Sequence, residues 1–443
     1  MPSVGPTEPG HTSIYGERPA WPLPARKWAS IAAIVVCLSL AGCASPIASP
    51  SGSAGQPAET ASAQPSATAG SPTPLDTGSA LPTPVASSPG SSGSVGAVDM
   101  ATAWGTVHVT DLPTAIGSDR VFGFDGAATP DGRWLVGTNR PRAETSGSRY
   151  AVLYNITSRR MVTMRQLADA RSQIIWASAD DRWIVWAEAN DDPNFFNWRL
   201  YAYDRATGTV KEITRASIVG GKPVAGPLPL PVVDHGRVVW GQFVGPFGPG
   251  TLQNAVVRMA DLATGSTKTL AVSAGQPAFS WPWVSWGVVT SVGSGYTLLS
   301  NLETGDHVRL AVRPATFALD GTSAAYNDTD SLALFLIDDI RRRPPNAALL
   351  LRIDPSSGIH VEWPSLSARI VAWSQNQSTH VYDRAERRLV VLPVSHISVG
   401  SWVGGRVLLW YDSIAPQQGS DRLPTPFLHI IDTSTLPVRH LRP

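Results

Sequence analysis

Three stretches carry the residues best suited to chemistry. Asn190–Trp198, NDDPNFFNW, combines carboxylates with aromatic rings. Asp191 and Asp192 offer oxygens of the kind that hold calcium, and Phe195 and Phe196 offer faces that stack on a sugar or a peptide. The same pattern also describes a solvated hairpin loop with its rings turned inward, and no Asp-x-Asp-x-Asp-Gly spacing supports a metal. Gly241–Gly250, GQFVGPFGPG, is long and apolar for a loop. If exposed, Phe243 and Phe247 mark a partner site; folded back, they belong to the core. Arg341-Arg342-Arg343 is either a solvated charge run or a patch that meets anionic lipid or glycopolymer. These three stretches are the candidate partner-binding loops.

Signals for catalysis are weak. The nine histidines are scattered, with neither His-x-His nor His-Glu-x-x-His, so no zinc site is expected. Gly-x-Ser-x-Gly is absent, which argues against a serine hydrolase segment. Gly265-Ser266-Thr267-Lys268-Thr269 lacks the glycine before lysine that a phosphate loop needs, and it falls in a hairpin turn. No catalytic residue, metal or cofactor is therefore assigned. A site assembled from carboxylates on several repeats stays open.

The elements that must position these loops are strands. Charged residues are only 16% of the chain and the net charge is +1, so no nucleic-acid partner is expected. Gly and Pro number 39 and 38, and Trp 16, a balance that suits an all-β protein with many turns. The only cysteines, Cys37 and Cys43, lie near the N-terminus, which leaves the folded part without disulfide or thiolate metal site. Its stability must come from a large core, which 443 residues can bury. A monomer is expected.

Arg26-Lys27 precedes the apolar run WASIAAIVVCLSLAG, Trp28 to Gly42. The run is short for a spanning helix, which needs about 20 residues, and reads as a secretory signal. Its end, Leu40-Ala41-Gly42-Cys43, resembles the lipobox of bacterial lipoproteins. That resemblance implies lipidation at Cys43 and an anchor in the cell membrane. A plain signal peptide cut elsewhere, or an uncleaved anchor, is the other reading. Residues 43–99 are almost wholly Ser, Pro, Ala, Gly and Thr, cannot form a core, and are expected to be a disordered tether. About 55 such residues span roughly 40 Å as a flexible coil. The expected organisation is thus 1–42 signal with lipobox, 43–99 linker and 100–443 folded domain.

Within the folded domain two signals alternate seven times. A turn followed by an apolar strand recurs from Asp131-Gly132-Arg133-Trp134 through Asp181-Arg182-Trp183, His235-Gly236-Arg237 and Pro282-Trp283 to Asp320-Gly321, Ala368-Arg369 and Gly404-Gly405-Arg406. The next strand then ends in Asp or Asn: Asn155, Asp204, Asp261, Asn301, Asp354, Asp383 and Asp432. Four of these lead to glycine, at Gly208, Gly265, Gly305 and Gly358, which supplies the left-handed position of a bulged hairpin. The mean spacing of about 46 residues matches one four-stranded propeller blade. The fold expected is all-β, a seven-bladed β-propeller, with six or eight blades also compatible. Trp134, Trp183, Trp240 and Trp373 are expected between blades. Leu334–Arg342 is the best helix candidate but also reads as strand and loop. Gly105–Leu112 is expected to complete the last blade beside Phe427–Ile431 and Val438–Leu441.

The unit DGRWLVG…YAVLYNITSRR and its relatives resemble the TolB-like, WD40-like β-propellers of bacterial envelopes, over about Val121 to Pro443. The resemblance implies a fold more than a function, because superfolds host many activities. The expected protein is a lipid-anchored binding or scaffold module on the outer face of the bacterial cytoplasmic membrane, serving an envelope protein or glycopolymer. The alternative is a propeller enzyme, a glycan lyase or hydrolase, acting at the channel mouth. Convergent His, Arg and carboxylates there would favour the enzyme; an apolar-rimmed face would favour binding.

Overall fold

The computed structural model describes residues 97–438, apart from 114, 117–118, 142–148, 170, 191–194, 196, 225–229, 246–253, 292–293, 313–315, 329–332, 353–363, 376–377, 395–397 and 414–425. The signal segment, Cys43 and the linker up to residue 96 lie outside the described residues.

Among the described residues, seven large sheets follow one another along the chain, with a small hairpin, Ile218–Val219 and Lys222–Pro223, between the second and third. The first holds Arg120–Ala128, Trp134–Pro141, Tyr150–Asn155 and Met161–Gln166, with Ala115–Ile116 at its inner edge. The second holds Gln173–Ala179, Trp183–Ala189, Arg199–Asp204 and Thr209–Arg215, and the third Val232–Asp234, Arg237–Phe243, Ala255–Asp261 and Thr267–Val272. The fourth is Ala274–Ser280, Trp283–Ser291, Ser294–Asn301 and His307–Leu310; the fifth is Phe317–Asp320, Ser323–Asp328, Ala333–Ile337 and Ala347–Arg352. Ser365–Leu366, Ile370–Gln375, Ser378–Asp383 and Arg388–Leu392 form the sixth, and Ser398–Gly404, Val407–Ser413 and Pro426–Asp432 belong to the seventh. The first strands touch in order round a ring, and that of the seventh sheet touches that of the first. This is a seven-bladed β-propeller.

The repeat seen in the sequence follows from blade packing. A second strand is covered by a neighbouring blade on each face, so it reads as a continuous apolar run rather than an alternating one. Trp183–Ala189 is buried at every position. Trp183, Trp240 and Trp373 are buried between blades, and Trp134 packs half-buried against the core between the first and second. The hairpin turns carry their expected chemistry. Asp261 Oδ1 accepts the N–H groups of Ala263 and Thr264, and Gly265 has a φ of 77°. Asn301 and Gly305 repeat this arrangement, while Gly358 lies outside the described residues. Of Leu334–Arg342, residues 334–337 belong to the strand Ala333–Ile337 and the rest is turn and coil.

The N-terminal segment closes the ring. Thr110–Pro113 pairs antiparallel with Pro426–Asp432, Thr110 opposite Ile430 and Pro113 opposite Phe427, and so supplies the outer strand of the seventh blade. The expected neighbour Phe427–Ile431 is therefore found; Val438 is coil, and 439–441 lie outside the described residues. An addition not foreseen precedes this strand. Val98–Asp99, within the stretch read as linker, pairs in parallel with the outer strand of the sixth blade. A one-turn helix, Met100–Trp104, follows, with Asp99 accepting the Thr102 N–H as its N-cap. Trp104 is buried and donates its indole N–H to Asp383 Oδ2 at 2.9 Å. Residues 98–113 thus strap the sixth blade to the seventh. Val98, within the stretch 43–99, packs against the apolar seam between those two blades.

Candidate binding site in the central channel

The innermost strand of each blade runs along a central channel and ends in the tight turn to the second strand. At that end the turn of one blade leaves backbone N–H groups that the inner strand of the preceding blade satisfies. Ser178 Oγ accepts the Val233 N–H at 3.0 Å and Asp180 Oδ2 the Gly236 N–H at 2.8 Å, joining the second blade to the third. Asp234 Oδ2 accepts the Trp281 N–H at 2.7 Å, and Ser280 Oγ the Gly321 N–H at 2.9 Å. Ser365 Oγ accepts the Val403 N–H at 2.9 Å. The seam between the seventh blade and the first is held by Tyr411, whose hydroxyl accepts from the Phe124 N–H at 2.8 Å and donates to the Phe124 carbonyl at 3.1 Å. Burial pushes the Tyr411 phenol far up.

Inside this stitched ring lies a cavity of about 990 Å³, walled by all seven blades. Cavities of roughly 300–1,000 Å³ are the size class that encloses small organic ligands. Phe124, Trp176, Phe279, Trp281, Phe317 and Trp402 give it an aromatic wall. Phe124 meets Trp402 edge-on at 6.2 Å, and Phe279 meets Trp281 likewise at 6.4 Å. The end bearing the first turns is polar, with Asp180, Asp234, His235, Arg237 and Asp320 at its rim.

These rim groups have unequal freedom. Asp180 also accepts the N–H groups of Arg182 and Trp183 through Oδ1. Asp234 accepts at Oδ2 as described, and its Oδ1 lies 2.8 Å from Nδ1 of the exposed His235. Arg237 lies over the Trp281 ring, 3.9 Å from its centroid. Asp320 differs: among the described residues no hydrogen bond reaches its carboxylate. Burial pushes its carboxyl above the ordinary value; Arg384 pulls it down and Asp234 pushes it up. Among the described residues no group of three His, Cys, Asp or Glu could hold a metal ion.

The loop residues singled out in the sequence are not gathered here. Phe195 is 2% exposed and packs with Trp198 and Trp240 between the second and third blades. Asp191, Asp192 and Phe196 lie outside the described residues. Phe243 is 2% exposed against Val224 and Ala255, while Phe247 lies outside the described residues. Both rings that can be placed are thus inward. Ala189 and Phe243, which end the second strands before these two stretches, lie at the end of the ring opposite the first turns. Arg341–Arg343 joins a third to a fourth strand and so lies at the same end as the first turns. Arg341 pairs in two-point fashion with Asp339 at 2.9 and 3.0 Å, and Arg343 donates to the Ile340 carbonyl. Arg342 is exposed.

Sequence reasoning missed the aromatic channel wall because most of it precedes the repeated motif, and it read His235, Arg237 and Asp320 only as turn residues. Trp176, Phe279 and Phe317 fall in inner strands that share no pattern with one another. The usable signal was the polar residue just before each first turn, at Asp180, Asp234, Ser280, Asp320 and Ser367.

No protein-family model matches the chain, and no curated protein matches it. Solved structures share its architecture at low identity. The β-propeller domain of the trilobed protease from Pyrococcus furiosus is 10% identical, with a TM-score of 0.47 covering 74% of this chain and 100% of that one. Oligogalacturonate lyase from Vibrio parahaemolyticus is 14% identical, with a TM-score of 0.45 over 75% of this chain and 95% of that one. TolB from Acinetobacter baumannii is 13% identical, with a TM-score of 0.35 over 71% of this chain and 64% of that one. These are likenesses between distant propellers, enzymes and non-enzymes alike, and they carry no argument about what this chain binds.

Proposed function

We propose that this chain is a binding module of the bacterial envelope, held to the outer face of the cytoplasmic membrane through lipid on Cys43, that seats part of an envelope protein in its central channel. The observation that carries this reading is the division of labour at the channel mouth. The wall is aromatic and roomy, whereas Asp180 and Asp234 are committed to backbone N–H groups of adjacent turns. A general acid or base needs a carboxyl free to reach a substrate proton, and these two are built into the frame. The enzyme alternative on glycans loses its natural pair of carboxylates for that reason.

The test is photo-crosslinking in intact cells. A benzophenone side chain placed at Asp181, exposed on the cavity rim, should capture a defined envelope protein; the same group at Thr304, on an exposed turn that does not border the cavity, should not. Equal capture from both positions, or none from Asp181, sinks the channel reading. The anchor is read separately: Cys43→Ser should move the protein from the membrane fraction to the soluble one.

A further inference from the structure

The cavity is apolar along its wall and acidic at its mouth. Asp180, Asp181, Asp234, Asp261 and Asp320 border it, against the guanidinium groups of Arg182 and Arg237. Arg182 is already answered by Asp204, with bonds of 3.0 and 2.7 Å, and Asp204 does not border the cavity. Arg237 is laid against Trp281. The mouth therefore presents an excess of negative charge above an aromatic floor.

Asp320 is the focus of that excess. It stands beside Ser280, whose hydroxyl takes the Gly321 N–H and lies 3.5 Å from Asp234 Oδ2. The guanidinium that acts on it, Arg384, already donates to Asp338, Ser323 and the Ser367 carbonyl. A partly desolvated carboxylate beside a second one gains strongly from an added cation. The indole of Trp402 on the cavity wall attracts a cation as well. Anions and neutral sugars gain neither term.

Resting on the channel reading above, we propose that the occupant is a basic side chain of a partner polypeptide, a lysine or arginine flanked by apolar residues, with its charged head at Asp320 and Asp234. Size favours a chain segment over a free amine, since about 990 Å³ is several times the volume of one aliphatic ammonium ion and leaves room for flanking residues against the aromatic wall.

Titration calorimetry on the full-length chain in detergent tests this. The probes are the blocked pentapeptide Ala-Phe-Lys-Phe-Ala, the same peptide with norleucine or glutamate for lysine, and free hexylamine. The lysine peptide should bind at least about tenfold tighter than the norleucine peptide, and the glutamate peptide should not bind. Asp320→Asn should weaken the lysine peptide about 10- to 100-fold and leave the norleucine peptide unchanged. Asp320→Glu keeps the charge and should retain binding, and Asp306→Asn, on an exposed outer turn, should change nothing. Thermal melts of the Asp320 variants should not fall below the parent, so lost binding is not lost folding. Norleucine binding equal to lysine, no effect of Asp320→Asn, or no binding of any peptide overturns the cationic occupant. Hexylamine binding as tightly as the peptide overturns the polypeptide source. Neither result touches the crosslinking contrast between Asp181 and Thr304, which judges the channel reading by itself.

Discussion

The strap formed by residues 98–113 makes a sharp demand on stability. Its anchor is Trp104, which is 3% exposed in the apolar seam shared by the sixth and seventh blades. Trp104→Ala removes a buried aromatic ring, a loss of about 3–5 kcal/mol once the cavity left behind is included. It also removes the donor to Asp383. That carboxylate is not orphaned, since Arg369 still donates to it at 3.1 Å and the Ala385 and Glu386 N–H groups still cap it. The hydrogen bond therefore adds only about 1 kcal/mol, for a total of about 4–6 kcal/mol. A ring of roughly 340 residues unfolds with an entropy near 0.7 kcal/mol/K, so the melting temperature should fall by about 6–9 °C. Trp104→Phe keeps most of the packing and should cost about 2 °C. Differential scanning calorimetry reads both, and hydrogen exchange should show Arg388–Leu392 and Pro426–Asp432 losing protection before the other blades. An alanine variant melting within about 1 °C of the parent would falsify the view that the strap closes the ring.

Three other outcomes follow from particular contacts. Tyr411→Phe leaves the Phe124 N–H without its hydroxyl partner and should cost about 1–3 kcal/mol, read by thermal melt and by faster exchange at that amide. Asp204 has its carboxyl held down to about 2 by the Arg182 guanidinium, against an ordinary 3.8, so its contribution is full above about pH 4 and is lost as pH falls toward 2. Asp204→Asn should flatten that acid limb of the stability curve, and an unchanged limb would show that the pair is idle. Gly137→Ala would place a methyl group 2.1 Å from the Gly123 carbonyl oxygen and 2.6 Å from the Phe122 ring, so the variant should be poorly soluble and melt well below the parent; normal expression and melting would contradict the close approach of those strands.

Much of the fold was legible because propeller construction repeats. A second strand flanked by two blades must be apolar throughout, which put Trp183, Trp240 and Trp373 in the core. A third strand must turn sharply into the fourth, which put Asp204, Asp261 and Asn301 at turns whose N–H groups they accept. The closing strand at Thr110–Pro113 was legible because one strand was left over and one blade lacked an edge. The strap before it was not, since Val98 and Trp104 sit isolated beside a polar tract and their burial depends on blades far later in the sequence, as the 279-residue separation between Trp104 and Asp383 illustrates. The loops at Asn190–Trp198 and Gly241–Gly250 drew notice for their aromatics, yet Phe195 and Phe243 turn inward, because a ring flanked by apolar blade seams gains more from burial than from solvent.

The inner strands explain why the channel was the hardest part to read. Their side chains answer to two different demands, the next blade's turn and the open channel, and neither repeats from blade to blade. The residue before the first turn shows the split. At Asp180 and Asp234 it accepts a backbone N–H from the following blade, and at Ser280 a hydroxyl does the same. At Asp320 no hydrogen bond to the following blade is made among the described residues, and in that blade Ser367 accepts the Ile370 N–H of its own turn at 3.1 Å. A position that elsewhere stitches blades is thereby left with a partly buried carboxylate and no structural task among the described residues. Keeping a partly desolvated charge there is unfavourable. Arg384, shared with Asp338, Ser323 and the Ser367 carbonyl, offsets that cost only in part, and an arriving cation would offset more of it; that is why Asp320, rather than the more numerous carboxylates that hold the frame, is the place where this propeller's function should be tested first.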